Sequence, residues 1–387
     1  MILQLFTIPI ITRKYGLEVF GEVALTTSVA YLLGNLVNYG TNQTAIKDVA
    51  ITNCNSFELS KIVSNVFWLR LVVFITITTI ITITTSYQKA FLWLSILPII
   101  LTEIFNPFYF LVSVEKMHWI SWGNIIIRVL SLFLVLFVSI HSNQAIILNL
   151  FVGGPLLFFN LFLSLYVIRS FQLKINRPNI ADLRVKLFNN FQVTFNGNIG
   201  MLQQSIFLFF VAGNFNASIL GAYGIVDKLL NAIRQIVSAF STAIYPRAAQ
   251  LFHESKSSWL IFRSHIQKLY LIASILLGIF LYYFADQIVF LISSEKNQLA
   301  STFIELLSPA PFFLSLNASN VIDFLLNEQY KGMFNVSIFI LLATVLISFA
   351  LTSNLFDLSI GWYPLFIEAS CFLIYSIAVK KYKLHAV

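Results

Sequence analysis

Lys228 and Arg234 stand six residues apart in the stretch GAYGIVDKLLNAIRQIVSAF (221–240), with Asp227 beside the lysine. Two further cations, Arg70 and Arg128, interrupt apolar runs elsewhere in the chain. In an apolar setting such cations are suited to holding an anion, above all a phosphate, through charge-assisted hydrogen bonds. They are expensive to place there for any other reason. On an insertion scale each charge at a helix centre costs about 2.5 to 3.5 kcal/mol, whereas each Leu, Ile, Val or Phe returns about 0.3 to 0.6. The three charges of 221–240 therefore cost about 8 to 10 kcal/mol against about 5 recovered, so they require water, protein or a ligand around them.

The elements that position these residues follow from composition. Of 387 residues, 58% are hydrophobic and only 10% charged, against about 25% charged in an ordinary soluble domain. Such a chain cannot clothe itself in a soluble surface, and the expectation is an all-α integral membrane protein. The formal charge of +8 does not point to nucleic acid, because the cations lie between hydrophobic spans and form no basic face. Cys54 and Cys371 are far apart and the five histidines scattered, so neither a disulfide framework nor a metal site is expected.

Apolar stretches of about 20 residues fall near 1–12, 20–44, 61–86, 90–113, 118–140 and 144–168. A second set follows near 188–212, 218–245, 266–293, 298–326, 332–353 and 358–379. The first stretch is short: either the true start lies upstream of Met1, or the helix runs on to about Gly16 and is partly interfacial. Assigning Lys and Arg to alternate connections puts sixteen on the side of both termini. Only Arg13, Lys14, Lys89 and Lys296 fall on the other side, and Arg70, Arg128, Lys228 and Arg234 remain inside spans. This asymmetry predicts cytoplasmic termini.

The longest polar connection, RSFQLKINRPNIADLRVK (169–186), separates two lobes, 1–178 and 179–387. Residues 20–50 and 220–250 run in register at an offset of 200, matching Gly21 with Gly221 and Lys47 with Arg247. Six spans per lobe is an even number, so the lobes share an orientation and are expected to be related by a pseudo-twofold axis along the membrane normal.

At 100° per residue, Tyr223, Gly224, Asp227, Lys228, Asn231, Arg234, Gln235, Ser238, Ser241 and Thr242 share one arc, and apolar residues fill the other. This predicts a spanning helix with one wet face. A surface-lying amphipathic helix, or charges that neutralise one another or neighbouring helices, are the alternatives. In the first lobe Asn35 and Asn38 occupy positions equivalent to Gln235 and Ser238, and Asn196 and Gln203 belong to a polar stripe on span seven. Such Asn stripes also serve as glue between helices. Arg70, Arg128 and Lys228 each lie nine or ten residues inside their spans, about 13 to 15 Å deep and so near the midplane. Acids at depth are fewer: Glu103, Asp227, Asp323 and Glu305. The excess is positive, which favours an anionic cargo.

TIPIITRKYGLEVFGEVALTTSVAYLLGNLVNYG (7–40), VEKMHWISWGNIIIRVLSLFLVLF (114–137) and LGAYGIVDKLLNAIRQIVSAFSTAIYPRAAQL (220–251) resemble, in turn, the opening spans through the second helix, the 4-5 connection with the fifth helix, and the eighth helix of Wzx-type O-antigen and polysaccharide flippases. These belong to the multidrug/oligosaccharidyl-lipid/polysaccharide (MOP) exporter superfamily. The resemblance implies a MATE-like transporter of about twelve helices in two lobes that alternates access in a bacterial inner membrane. It implies that oligosaccharide repeat units on undecaprenyl pyrophosphate move from the cytoplasmic to the periplasmic leaflet, with lipids and other polysaccharide-assembly proteins as partners. Under it, Arg70, Arg128, Lys228 and Arg234 form a cationic cavity for the pyrophosphate. Asn35, Asn38, Asn196, Gln203, Asn231 and Gln235 line the cavity, and no cofactor beyond a counter-moving proton or sodium ion is implied. Asp227, Glu103 and Asp323 are the coupling candidates.

Two other classes are weighed against this transporter. A membrane enzyme such as a repeat-unit polymerase needs a long outward loop or an acid-base constellation, and neither is visible. A MATE-type small-molecule or ion antiporter calls for midplane acids rather than four cations, and peptidoglycan-precursor flippases have two more spans.

Overall fold

The computed structural model describes residues 7–52, 56–84, 90–141, 148–178, 180–353, 357–382 and 384. Helix dominates throughout, and no strand occurs among these residues. Eight of the described helical segments are long and apolar enough to cross a membrane, and the protein is a multi-pass membrane protein.

The expected spans map onto helices with informative differences. The first two stretches form α1 (Thr7–Asn38), broken internally at Gly16, whose φ of 86° and ψ of 167° are hostile to any residue with a Cβ. The short first segment thus does run on to Gly16. A second break, at Tyr39 and Gly40, both with positive φ, separates α1 from α2 (Thr41–Ile51). Then come α3 (Ser56–Thr84), α4 (Ala90–Thr102) and α5 (Phe108–Ser113). The stretch 90–113 is therefore two helices, because Pro107 donates no N–H and 103–107 leaves the helical path. α6 (Met117–His141) and α7 (Leu148–Ser170) follow.

The second half continues with α8 (Ile180–Asn214), α9 (Ala217–Glu254), α10 (Lys256–Tyr283) and α11 (Ala285–Ser293). The stretch 298–326 breaks at Ser308 and Pro309 into α12 (Gln298–Leu307) and α13 (Ala310–Leu326). α14 (Tyr330–Ser353), a 3-10 turn (Asp357–Trp362) and α15 (Tyr363–Lys381) complete the chain.

The helices gather into two compact units, Val23–Met201 and Met1–Glu22 with Leu202–Val387. They differ from the sequence-drawn lobes by residues 1–22 and 179–201, in helices α1 and α8, which run through both. In Val23–Met201, Ala30, Val37, Ile96, Ile99, Ile100 and Ile104 form one apolar cluster. Leu59, Val66, Phe110, Leu111, Leu163 and Val167 belong to another. In the other unit, Trp259, Ala248 and Ile322 cluster between α9, α10 and α13. Outward positions such as Ile83 (78% exposed) and Phe158 (74%) are bulky and apolar, as expected of a lipid-facing surface.

Candidate functional site

The start of α9 is fixed by Asn216, whose side chain accepts from the Ile219 N–H. Beyond this cap, Tyr223 and Asp227 are buried, at 1% and 6% exposure. Phe207 of α8 stacks on Tyr363 of α15 at 3.7 Å and meets Tyr223 edge-on at 4.8 Å. The apolar arc is buried too, with Ile225 and Val226 at 0%. The first half of α9 is therefore enclosed on both faces, which corrects the expected wet face for Tyr223 and Asp227. Helical periodicity places the polar groups on one side but does not say what covers them. The second half does open: Ser238 and Thr242 are exposed and Gln235 half-buried.

Protein partners satisfy the enclosed polar groups. Asn231 donates to Asp227 at 3.2 Å, and the Lys228 Nζ lies 3.8 Å from the other Asp227 oxygen. Arg234 directs Nε and Nη2 to a single oxygen of Glu368 on α15, each at 2.7 Å, and its Nη1 reaches Asn231 at 3.5 Å. Glu368, Arg234, Asn231, Asp227 and Lys228 thus form one polar chain. Its carboxylates are inside, with side-chain exposures of 3% and 8%, and its cations lie toward the open edge, at 20% for Arg234 and 30% for Lys228. Sequence reasoning missed Glu368. The signal was there, because it lies ten residues inside the last expected span, yet the count of acids at depth left it out.

Arg70 is not a cavity cation. It is fully buried at 0% exposure and makes four hydrogen bonds within its own unit. Nε donates to Thr41 Oγ1, Nη1 to the carbonyls of Glu103 and Asn106, and Nη2 to Asn42 Oδ1. The tyrosine ring of Tyr109 lies 5.4 Å away. These acceptors sit where the chain breaks, at 39–40 and 103–107, so Arg70 satisfies backbone and side-chain groups that the helix interruptions strand. Glu103 belongs to the same network, accepting from Asn38 and Asn106 at 3.1 Å each. Both Glu103 and Asn38 are thereby joints of this unit.

Arg128 behaves differently. Its Nη1 is one of three buried side-chain nitrogen or oxygen atoms among the described residues that have no hydrogen-bond partner, with Asn198 Oδ1 and Asn317 Oδ1. It is the single cationic group of the three, and an unsatisfied buried guanidinium N–H is costly in a membrane protein.

Asp323 lies elsewhere in α13, buried at 1%. It accepts from Trp259 Nε1 at 2.9 Å and from Arg263 Nε at 2.8 Å, while Arg263 also donates to Asn320 and Gln267. Arg263 falls between the expected spans 218–245 and 266–293, but α10 begins at Lys256 and carries it two turns into the helix. Of the remaining lining residues, Gln203 donates to the Ser337 carbonyl at 2.8 Å and Asn35 is half-buried. Asn196 lies in α8, with its side chain outside the described residues. No cluster of three or more metal-ligating side chains occurs among the described residues.

Residues 1–252 match the family described as "Polysaccharide biosynthesis protein". The chain belongs to this family. Over 368 residues this family member is 24% identical to a protein of Escherichia coli (strain K12) described as "Putative O-antigen transporter", covering 90% of the chain and 85% of the relative. Its fold resembles an inward-facing MATE-family multidrug resistance transporter of the MOP superfamily, at a TM-score of 0.76 and 13% identity, over 99% of this chain and 94% of that one. It also resembles the lipid II flippase MurJ in an inward closed conformation, at a TM-score of 0.67 and 13% identity, over 98% and 85%. The family member therefore has the MOP-superfamily fold, as the sequence resemblance implied.

Proposed function

We propose that this protein is a lipid-linked oligosaccharide flippase of the bacterial inner membrane. It moves repeat units carried on undecaprenyl pyrophosphate from the cytoplasmic to the periplasmic leaflet by alternating access, and makes no or breaks no covalent bond. In the unit Val23–Met201 the residue assigned to the anionic head group is Arg128; in the other unit the assigned cations are Lys228 and Arg234, with Asn231 and Gln235 for the sugars; Arg70 drops out of the set. The observation that carries the reading is the buried Arg128 Nη1 without a protein acceptor, since a phosphate oxygen supplies what this N–H lacks. The polysaccharide family match and the O-antigen transporter relative agree with it. A counter-moving proton or sodium ion drives the cycle, with Asp227 the remaining coupling candidate in the polar chain. Both termini face the cytoplasm, and other assembly proteins receive the cargo.

Deletion of the gene tests this. Lipid-linked repeat units are expected to accumulate unpolymerised on the cytoplasmic leaflet, and the wild-type gene, but not Arg128→Gln, restores surface polysaccharide. Accumulation on the periplasmic leaflet indicates a polymerase instead. Intact polysaccharide together with drug sensitivity indicates an antiporter.

A further inference from the structure

We propose that Glu368 is a built-in competitor for the cargo's phosphate: a carboxylate that occupies Arg234 when no head group is bound and sets how tightly the head group is held. This rests on the anionic cargo proposed above and extends it to a residue of α15. Arg234 gives Glu368 two N–H groups, Nε and Nη2, on one oxygen at 2.7 Å. A phosphate oxygen accepts through the same edge of a guanidinium, so the two acceptors exclude each other. The burial order makes exchange geometrically reasonable. Glu368 has a side-chain exposure of 3% and Arg234 of 20%, so an anion arriving from the open edge meets the guanidinium before the carboxylate. Farther along the polar chain Lys228 keeps Asp227 at 3.8 Å, so each cation of this chain carries its own carboxylate, whereas the buried Arg128 Nη1 carries no acceptor. A transporter must let its cargo go, and a resident carboxylate that returns to Arg234 lowers the free energy of the unloaded site and so favours release.

The test is binding of inorganic pyrophosphate to the purified full-length protein in detergent, by isothermal titration calorimetry. Glu368→Gln keeps the shape and an acceptor oxygen but removes the charge, and is expected to tighten pyrophosphate binding about tenfold, one charge-assisted contact's worth of competition. Glu368→Asp keeps the charge and is expected to stay within a few-fold of wild type. Arg234→Gln weakens binding, and adding Glu368→Gln to it produces no tightening. Wild-type protein supplies a second readout that needs no variant: pyrophosphate is expected to increase labelling of Glu368 by an apolar carbodiimide, since the displaced carboxylate becomes reactive. Unchanged or weaker binding in Glu368→Gln, or protection of Glu368 by pyrophosphate, overturns the proposal while leaving the flippase reading standing. Absence of pyrophosphate binding in every protein overturns both.

Discussion

Gly21 and Gly221, which the internal repeat equates at an offset of 200, lie against each other backbone to backbone. A Cβ on Gly21 would stand 2.7 Å from the Gly221 nitrogen and 3.0 Å from its Cα, and a Cβ on Gly221 would collide with the Leu17 carbonyl. α1 and α9 cross here at a separation that no side chain allows. Backbone cannot step aside as a flexible side chain can, so Gly221→Ala is expected to cost about 1 to 3 kcal/mol as an overpacked site. Gly200 and Gly213 are helical glycines with open space around them. Alanine there is expected to leave stability unchanged or raise it by up to about 1 kcal/mol through helix propensity. Thermal denaturation of the detergent-solubilised protein measures both, and equal effects at the two kinds of site would refute the close crossing.

Arg70 joins two helix interruptions, and its loss should read as a folding defect. Arg70→Lys keeps the charge but cannot reproduce a fork that spans Thr41, Asn42 and the carbonyls of Glu103 and Asn106. Breaking one side of such a buried charged network costs about 3 to 5 kcal/mol. The expected outcome is a lowered melting temperature and poor recovery of monodisperse protein from the membrane. Wild-type stability combined with lost transport would return Arg70 to the cavity.

Hydropathy made the all-helical membrane fold legible, because a stretch of about 20 apolar residues has few alternatives in a bilayer, and eight of the described helical segments are long and apolar enough to cross. The interruptions were not legible, since a window of that length averages across Glu103 to Pro107 and across Ser308 and Pro309. The same limit explains the site. Depth along a span is a one-dimensional quantity and correctly set Arg70, Arg128 and Lys228 deep in their helices. What surrounds each is three-dimensional: Arg70 meets the carbonyls freed by a break that hydropathy smooths over, whereas Arg128 meets none for its Nη1. Glu368 was left out of the count of deep acids although it lies ten residues inside its expected span, and Arg263 was misplaced because a span was started ten residues late.

Arg128 should show the opposite pattern to Arg70. Its Nη1 is buried without a partner, so Arg128→Gln removes an unsatisfied donor and is expected to leave stability unchanged or raise it by about 1 to 3 kcal/mol. Transport is expected to fail in the same variant. The checks are membrane abundance and melting temperature on one side and surface polysaccharide on the other. A variant that unfolds would show that Arg128 serves the fold, and one that supports full polysaccharide would remove it from the cargo site.

Asp323 and Arg263 offer a comparison that separates a structural ion pair from a coupling acid. The carboxylate is 1% exposed and is held by both Arg263 and Trp259, at 2.8 and 2.9 Å. Either single variant, Asp323→Asn or Arg263→Gln, leaves one buried charge without its counterpart and is expected to cost about 3 to 5 kcal/mol. The double variant leaves no lone charge and is expected to recover part of that loss, so a double-mutant cycle should return a coupling of about 1 to 3 kcal/mol. The decisive control is transport in the double variant when it folds. If polysaccharide export survives at reduced protein levels, the pair holds α10 against α13 and carries no ion. If the folded double variant has lost export altogether, Asp323 belongs with the coupling groups, and the melting temperature measured on the same preparation distinguishes the two.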